Sequence, residues 1–341
     1  MAESDLLDLI TELGKKIEDP MYSLLEKHVH EDFKPVVVYQ AKTGGKRIRP
    51  AITLLFSQAT GNSVNNAIYG AIGVELIHNY SLIIDDIIDK GTLRRGLQTV
   101  RAKFSDEMAL LSSMVHRETI QDCAKLTEKP DQVLEIFSRT IRELIEGERL
   151  DILLEQKQEH DYYKKYSIMP KNFTEETYLE MIHKKTAILF SCASEIGVIL
   201  GGGTTEQIRA AKNFGMMAGI AFQIVDDILD LKGEEKRFGK EIGKDIIEGK
   251  ISNYPLLLAY IDMSEKEQQT ILDILKAKNP DENDINTCLE LVEKREGFKR
   301  AKTSANAYIN KAKECINNIF PNKEAIDSIK GSADFIVNRY L

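Results

Sequence analysis

The chain has no tryptophan, and only 8 prolines and 4 cysteines in 341 residues. Sparse proline leaves long stretches without a helix breaker. Cys123, Cys192, Cys288 and Cys315 stand too far apart for a zinc signature or a disulfide framework, so they read as reduced thiols of a cytoplasmic protein. Positive charge is not in excess: 46 Lys and Arg against 54 Asp and Glu leave a net charge of −8, which argues against nucleic acid as a partner. The opening Met-Ala-Glu-Ser-Asp has no apolar signal core. Apolar runs are interrupted by charge or Gly, so no transmembrane segment is expected. Alternating strands, short repeats and low-complexity tracts are missing too. So are a Ser-His-Asp arrangement, a Walker loop and a dinucleotide fingerprint.

What is present is helical period. Leu6, Leu9, Ile10, Leu13 and Ile17 mark a first amphipathic helix, which Asp19-Pro20 is expected to end or restart. A basic loop, Lys42 to Pro50, precedes a helix from Ala51, and Asn66 to Asp89 reads as one long helix. Further helices are expected over Ser105–Lys125, Pro130–Gln158, Thr174–Leu200 and Thr205–Leu231. Glu155–Lys171 and Lys232–Lys250 read as loops, and charged amphipathic helices follow from Asn253 to Leu341. No linker forces a boundary, so a single all-α domain over residues 1–341 is expected.

Two stretches set carboxylates into apolar helix. Ile83-Ile84-Asp85-Asp86-Ile87-Ile88-Asp89 puts Asp85 and Asp89 four apart, on one helical face. Val225-Asp226-Asp227-Ile228-Leu229-Asp230 does the same with Asp226 and Asp230. A buried carboxylate needs a counter-charge or takes up a proton, and neither stretch contains Lys or Arg. Bound Mg²⁺ answers that need, since it favours one or two carboxylates plus phosphate oxygens. An acidic helix face with distant Lys partners is the bland alternative for either motif alone; the repetition suggests two walls of a metal-binding cleft.

Cations stand close by in sequence. Gly44-Gly45-Lys46-Arg47-Ile48-Arg49-Pro50 gathers three of them at a helix start, which suits a diphosphate. Arg94-Arg95 follows the first acidic motif after one short turn. His78, seven residues before Asp85, lies about 20° from it on the helical wheel. Gly219, Phe222, Gln223, Asp226 and Asp230 share a face, with Lys240, Lys244, Asp245 and Lys250 beyond it and Lys185-Thr186 in the preceding helix. Carboxylates for metal, cations for phosphate and long apolar helices suit an oily diphosphate.

The ordered set resembles the trans-isoprenyl diphosphate synthases, the farnesyl and geranylgeranyl diphosphate synthases and their longer-chain relatives. It comprises Gly-Gly-Lys-Arg-Ile-Arg-Pro, Asp-Asp-Ile-Ile-Asp with Arg-Arg-Gly, Lys-Thr, and Phe-Gln-Ile-Val-Asp-Asp-Ile-Leu-Asp. The resemblance implies an isoprenoid synthase-type helical bundle around a central cavity, usually a homodimer. It implies that Asp85, Asp89 and Asp226 hold Mg²⁺, with Asp86, Asp227 and Asp230 in support. Lys46, Arg49, His78 and Arg95 would bind isopentenyl diphosphate. Arg94, Lys185 and Lys240 would clamp an allylic diphosphate (dimethylallyl, geranyl or farnesyl), with Thr186, Gln223 and Lys250 lining the cleft. Gly147-Glu148-Arg149-Leu150-Asp151 resembles the family's Gly-Gln-x-x-Asp and adds Asp151. Ser81, one turn before Asp85, points to the same cavity by helix geometry. The resemblance adds Tyr80 as the aromatic that floors the pocket and limits product length.

The pattern departs from the family in three places. Ile84 stands where many members have His, Ala109 to Met114 replaces a segment containing Gly-Asp, and Ser252-Asn253-Tyr254-Pro255 replaces Thr-x-Pro. None removes a metal or phosphate ligand. Two other readings are a head-to-head prenyl synthase or terpene cyclase, and a non-catalytic partner subunit. The first usually lacks the Gly-Gly-Lys-Arg-x-Arg-Pro site, and the second would have lost ligands.

Overall fold

The structure, a computed structural model, describes residues 3–155, 160–166, 172–232 and 243–338. About four-fifths of them are helical. In α1 (Glu3–Glu26), Leu6, Ile10, Leu13, Ile17, Met21 and Leu25 form one buried stripe. Pro20 lies inside this helix and does not end it, contrary to the sequence reading. The reason is the stripe itself: Met21 and Leu25 beyond the proline are as deeply buried as Ile17 before it, so packing outweighs one missing hydrogen bond.

The described chain gathers into two compact units. The first takes Met1–Arg142, Ile188–Met216 and Ala312–Phe335; the second takes Glu143–Ala187, Met217–Lys311 and Ile336–Leu341. In the first unit α2 (Lys34–Lys42) and α3 (Ile48–Ala59) lead to a short 3₁₀ turn, Val64–Ala67, and then to α4 (Ile68–Ile88). α4 is buried almost all round from Gly70 to Ile77, the mark of a core helix. The segment Val64–Ile88 is long and apolar enough to cross a membrane, which the sequence reading did not expect, but 67% of its apolar window is buried inside the protein. α4 lies against α6 (Asp106–Lys125), α3 and α10 (Ile188–Leu200).

A hairpin joins α4 to α5 (Val100–Lys103), pairing Leu93 with Gln98 and Arg94 with Leu97. Its central residues Arg95 and Gly96 have φ of 55° and 75°, as a two-residue type I′ turn requires. The second unit begins within α7 (Pro130–Leu154), continues through α8 (Asp161–Tyr166) and α9 (Glu175–Ile182), and takes the later part of α11 (Thr205–Lys232). α8 falls in a stretch expected to be loop, as does the helix Lys244–Glu248. Helices Tyr254–Ile261 and Glu265–Lys276 both pack against Glu282–Lys294, and capping boxes at Ser264/Glu267 and Asp281/Asp284 fix the starts of the last two.

Close approach of α3 and α10 depends on Gly197. A Cβ there would run into the Thr53 carbonyl oxygen and the Phe56 side chain. Gly197→Ala is therefore expected to destabilise the protein by about 1–3 kcal/mol, the usual cost of overpacking. Equilibrium denaturant unfolding checks this; an unchanged midpoint refutes it.

Candidate active site

The basic loop divides its cations between structure and surface. Arg47 is buried at a φ of 49° and donates to Glu75 Oε1 and to the Ala41 carbonyl, each at 2.5 Å, with Glu18 at 3.5 Å. It braces the loop against α1, α2 and α4. Lys46 is exposed, with its ammonium 4.6 Å from the Phe335 ring centre. Arg49 is half-buried; its guanidinium stacks 4.5 Å from the Phe190 ring, and Nη1 donates to His78 Nε2 at 3.4 Å. Burial pushes the pKa of His78 down, and Arg49, Arg95, Arg94 and Arg47 push it further, well below the usual imidazole value. The ring is therefore neutral near pH 7, and Nε2 is the acceptor. Arg95 donates to the Gly44 carbonyl, which brings the hairpin tip onto the loop. Lys46, Arg49, His78 and Arg95 are thus assembled in one unit, as a site for an anion requires.

In the first acidic motif the three carboxylates are not equivalent. Asp86 is buried and receives Arg94 Nε at 3.0 Å and Nη2 at 2.9 Å, a bidentate pair. Asp85 and Asp89 are half-buried. Tyr80 and Ser81 are also half-buried, and the Ser81 hydroxyl donates to the His78 carbonyl at 3.0 Å.

The second motif repeats the division by other means. Asp227 is buried and accepts from Gln223 Nε2 at 2.8 Å, the Tyr178 hydroxyl at 2.7 Å and the Tyr254 N–H at 3.0 Å. None of these donors carries charge. Burial, and then the neighbouring Asp245, push the Asp227 carboxyl well above the usual range. Asp226 and Asp230 are half-buried. Gln223 in turn accepts from the Thr186 hydroxyl at 2.7 Å.

Thr186 and Lys185 lie in a π-helical turn, His183–Ala187, between α9 and α10. Such turns cluster at functional sites. Gly147 makes room for this one, since a Cβ there would strike the Lys185 and Lys184 backbone. Lys185 Nζ pairs with Asp151 at 2.5 Å and Glu148 at 2.8 Å. Lys250 pairs with Glu248 at 2.9 Å and reaches Asp151 at 3.8 Å. Lys240 lies outside the described residues.

Sequence reading missed Tyr178, Tyr254, Asn253 and Glu148. The departure from Thr-x-Pro was the available signal for Asn253 and Tyr254, and the Gly-Gln-x-x-Asp-like stretch for Glu148. Among the described residues no group of three or more His, Cys, Asp or Glu forms a ready metal site. Each motif offers two half-buried carboxylates at i, i+4 spacing, a hard-oxygen donor set that fits Mg²⁺ alongside phosphate oxygens.

The chain matches the polyprenyl synthetase family over residues 30–292. It is 30% identical over 340 residues to a geranylgeranyl diphosphate synthase of Methanosarcina mazei, covering 98% of both chains. It is 32% identical over 303 residues to a geranylgeranyl diphosphate synthase of Saccharolobus solfataricus, covering 87% of both. The crystal structure of geranylgeranyl pyrophosphate synthetase from Pyrococcus horikoshii aligns with a TM-score of 0.88 at 32% identity, over 98% of this chain and 99% of that one. Fold and likeness define a prenyltransferase with the all-α isoprenoid synthase fold. The chain belongs to the polyprenyl synthetase family.

Asp151 yields a pH prediction. Burial alone would raise its pKa, but Lys185 and Lys250 outweigh it and lower the value to about 2. A depressed carboxylate pKa stabilises the fold above the unfolded value near 4 and loses that contribution as pH falls towards 2. Unfolding free energy of the wild type should fall by about 2–3 kcal/mol more across this window than that of Asp151→Asn. Parallel pH dependence of the two proteins would contradict the assignment.

Proposed function

We propose that the protein condenses isopentenyl diphosphate with an allylic diphosphate (dimethylallyl, geranyl or farnesyl) to give a short-chain product, geranylgeranyl diphosphate in preference to farnesyl diphosphate. The observation that carries this reading is in the first unit: Arg49 and Arg95 act on neutral His78, on the helix that ends in Asp85 and Asp89, and Lys46 belongs to the same basic loop as Arg49. That cation set gives a second, homoallylic diphosphate its own site, which a head-to-head synthase or terpene cyclase would not need.

Asp85 with Asp89, and Asp226 with Asp230, would hold Mg²⁺, which when bound neutralises charge on the leaving diphosphate. Lys46, Arg49, His78 and Arg95 bind isopentenyl diphosphate. Arg94 and Lys185 bind the allylic diphosphate, and Lys240 is assigned there from the family resemblance. Asp86 takes Nε and Nη2 of Arg94 and so fixes the plane of the guanidinium. Asp151 and Glu148 hold Lys185 in the same way. Thr186 and Gln223 line the cleft, Thr186 donating to Gln223 Oε1 and Gln223 Nε2 to Asp227, and Lys250 supports Asp151. Loss of diphosphate leaves an allylic carbocation, which the isopentenyl double bond attacks; the new cation then gives up a proton to the departed diphosphate. Apolar helices around the chain keep out water that would quench the cation.

The enzyme is proposed to work as a cytoplasmic homodimer and a single functional domain. The four free cysteines accord with a reducing compartment. On α6, Leu110, Leu111 and Met114 are 50%, 45% and 57% exposed, an apolar face suited to a second copy.

The assay is purified protein with Mg²⁺, isopentenyl diphosphate and each allylic primer, with products resolved by length. Asp85→Ala and Asp226→Ala should each cut turnover by roughly two orders of magnitude or more, while the helical circular dichroism is retained. Full activity in excess chelator refutes the metal assignment.

Product length is tested at Tyr80. The growing chain runs back along α4 from Asp85, and the Tyr80 ring is proposed as its floor. Tyr80→Ala should shift the product distribution to longer chains. Wild-type products at wild-type activity would move the floor elsewhere, with the segment around Ser112 and Met114 next to be tested.

A further inference from the structure

The end of the second acidic motif is fixed from outside its own helix. Asp230 Oδ2 accepts the Asp245 N–H at 3.1 Å, and the Asp230 carbonyl accepts the Gly243 N–H at 2.8 Å. The helix that supplies these donors, Lys244–Glu248, has five residues between Gly243 and Gly249, both in the left-handed region. So short a helix does not hold itself in place. Asn253 holds it. Its Nδ2 donates to the Asp227 carbonyl at 2.9 Å and to Asp245 Oδ2 at 3.0 Å. Its Oδ1 accepts the Leu256 N–H at 3.5 Å and caps Tyr254–Ile261. Asn253 is 1% exposed, so bulk water cannot stand in for either bond.

One amide therefore ties the acidic helix to the segment that sets its last carboxylate. We propose that Asn253 is a positioning residue for the second acidic motif: through Asp245 it fixes the Asp230 carboxylate, and so sets how tightly this motif holds a divalent cation. The proposal rests on the reading of Asp226 and Asp230 as metal-holding residues. Asn253 falls in the stretch Ser252–Pro255, where the chain departs from the family's Thr-x-Pro. A serine at 253 could still cap the following helix but is too short to reach both of Asn253's partners. The capping and bridging roles can therefore be separated by substitution.

The test uses the full chain, with Mn²⁺ as the probe in the presence of inorganic diphosphate and free Mn²⁺ read by electron paramagnetic resonance. Asn253→Ser should raise the Mn²⁺ Kd several-fold, less than the roughly 10- to 100-fold cost of losing a direct outer partner of a metal ligand, because it acts through Asp245. A residue that merely supported the fold would lower the melting temperature and leave the Kd in place. An unchanged Kd for Asn253→Ser, alongside a weakened Asp226→Ala, overturns the positioning role and leaves the metal reading standing. An unchanged Kd for Asp226→Ala overturns the metal reading, and this proposal with it. Should Asn253→Ser not fold, Asp245→Ala breaks one arm of the same tie and must raise the Kd several-fold; an unchanged Kd there also overturns the proposal.

Discussion

A carboxylate in the middle of an apolar helix has to be given hydrogen-bond donors by the protein, and this demand shapes both halves of the chain. Asp86 and Asp227 stand at the same place in their motifs, and both are buried. Asp86 is answered by a cation, Arg94, delivered on the first strand of the hairpin. Asp227 is answered by three neutral donors, from Gln223 on its own helix, Tyr178 on α9 and the backbone of Tyr254. A charged partner stabilises the ionised form; neutral donors in a dry setting do so less completely, so burial and Asp245 hold the Asp227 carboxyl well above its ordinary range. In both motifs the middle residue anchors, and its outer neighbours sit half-buried at i, i+4 spacing.

The cations obey a matching rule. Three positive charges in four residues, Lys46 to Arg49, repel one another unless some are neutralised. Arg47 is neutralised by Glu75 and Glu18, and that pairing carries the loop onto the helices beneath it. Buried pairs of this sort are costly to break from one side, since the survivor is left charged and dry. Arg49 and Lys46 lie over aromatic faces, Phe190 and Phe335. Such contacts hold a side chain in place. Burial, and then Arg49, Arg95, Arg94 and Arg47, lower the pKa of His78, so the imidazole contributes as a neutral partner rather than as another cation.

Much of the fold was legible in periodicity because nearly every helix carries a continuous apolar stripe. The errors fell where a tertiary contact overruled a local signal. Pro20 was read as a breaker, yet the stripe through Met21 and Leu25 carries α1 past it. The π turn at Lys185 has no periodic signature; it exists because Gly147, far away in sequence, leaves space for the backbone. The motifs placed Asp85, Asp89, Asp226 and Asp230 on shared faces, since i, i+4 spacing is a property of the helix alone. They could not separate Asp86 and Asp227 from their neighbours. That distinction depends on Arg94, Tyr178 and Tyr254, which reach the motifs through turns and packing that no spacing encodes.

The departures from the family pattern fall in contacts rather than in ligands. In Ala109 to Met114 the residues facing inward, Ala109, Ser112 and Ser113, are small, and all three are buried. Small side chains are what α6 needs to lie close along α4, and Ser113 returns its hydroxyl to the Leu110 carbonyl at 2.7 Å instead of carrying it unpaired into the interface. The outward residues, Leu110, Leu111 and Met114, are apolar and exposed. In Ser252 to Pro255, Ser252 donates to Asp151 at 3.2 Å, Asn253 to the Asp227 carbonyl and to Asp245, and the Tyr254 backbone to the Asp227 carboxylate. Three consecutive positions, Ser252 to Tyr254, thus reach both the carboxylate that holds Lys185 and the one that anchors the second motif. A change here alters how the charged groups are held without altering which groups they are.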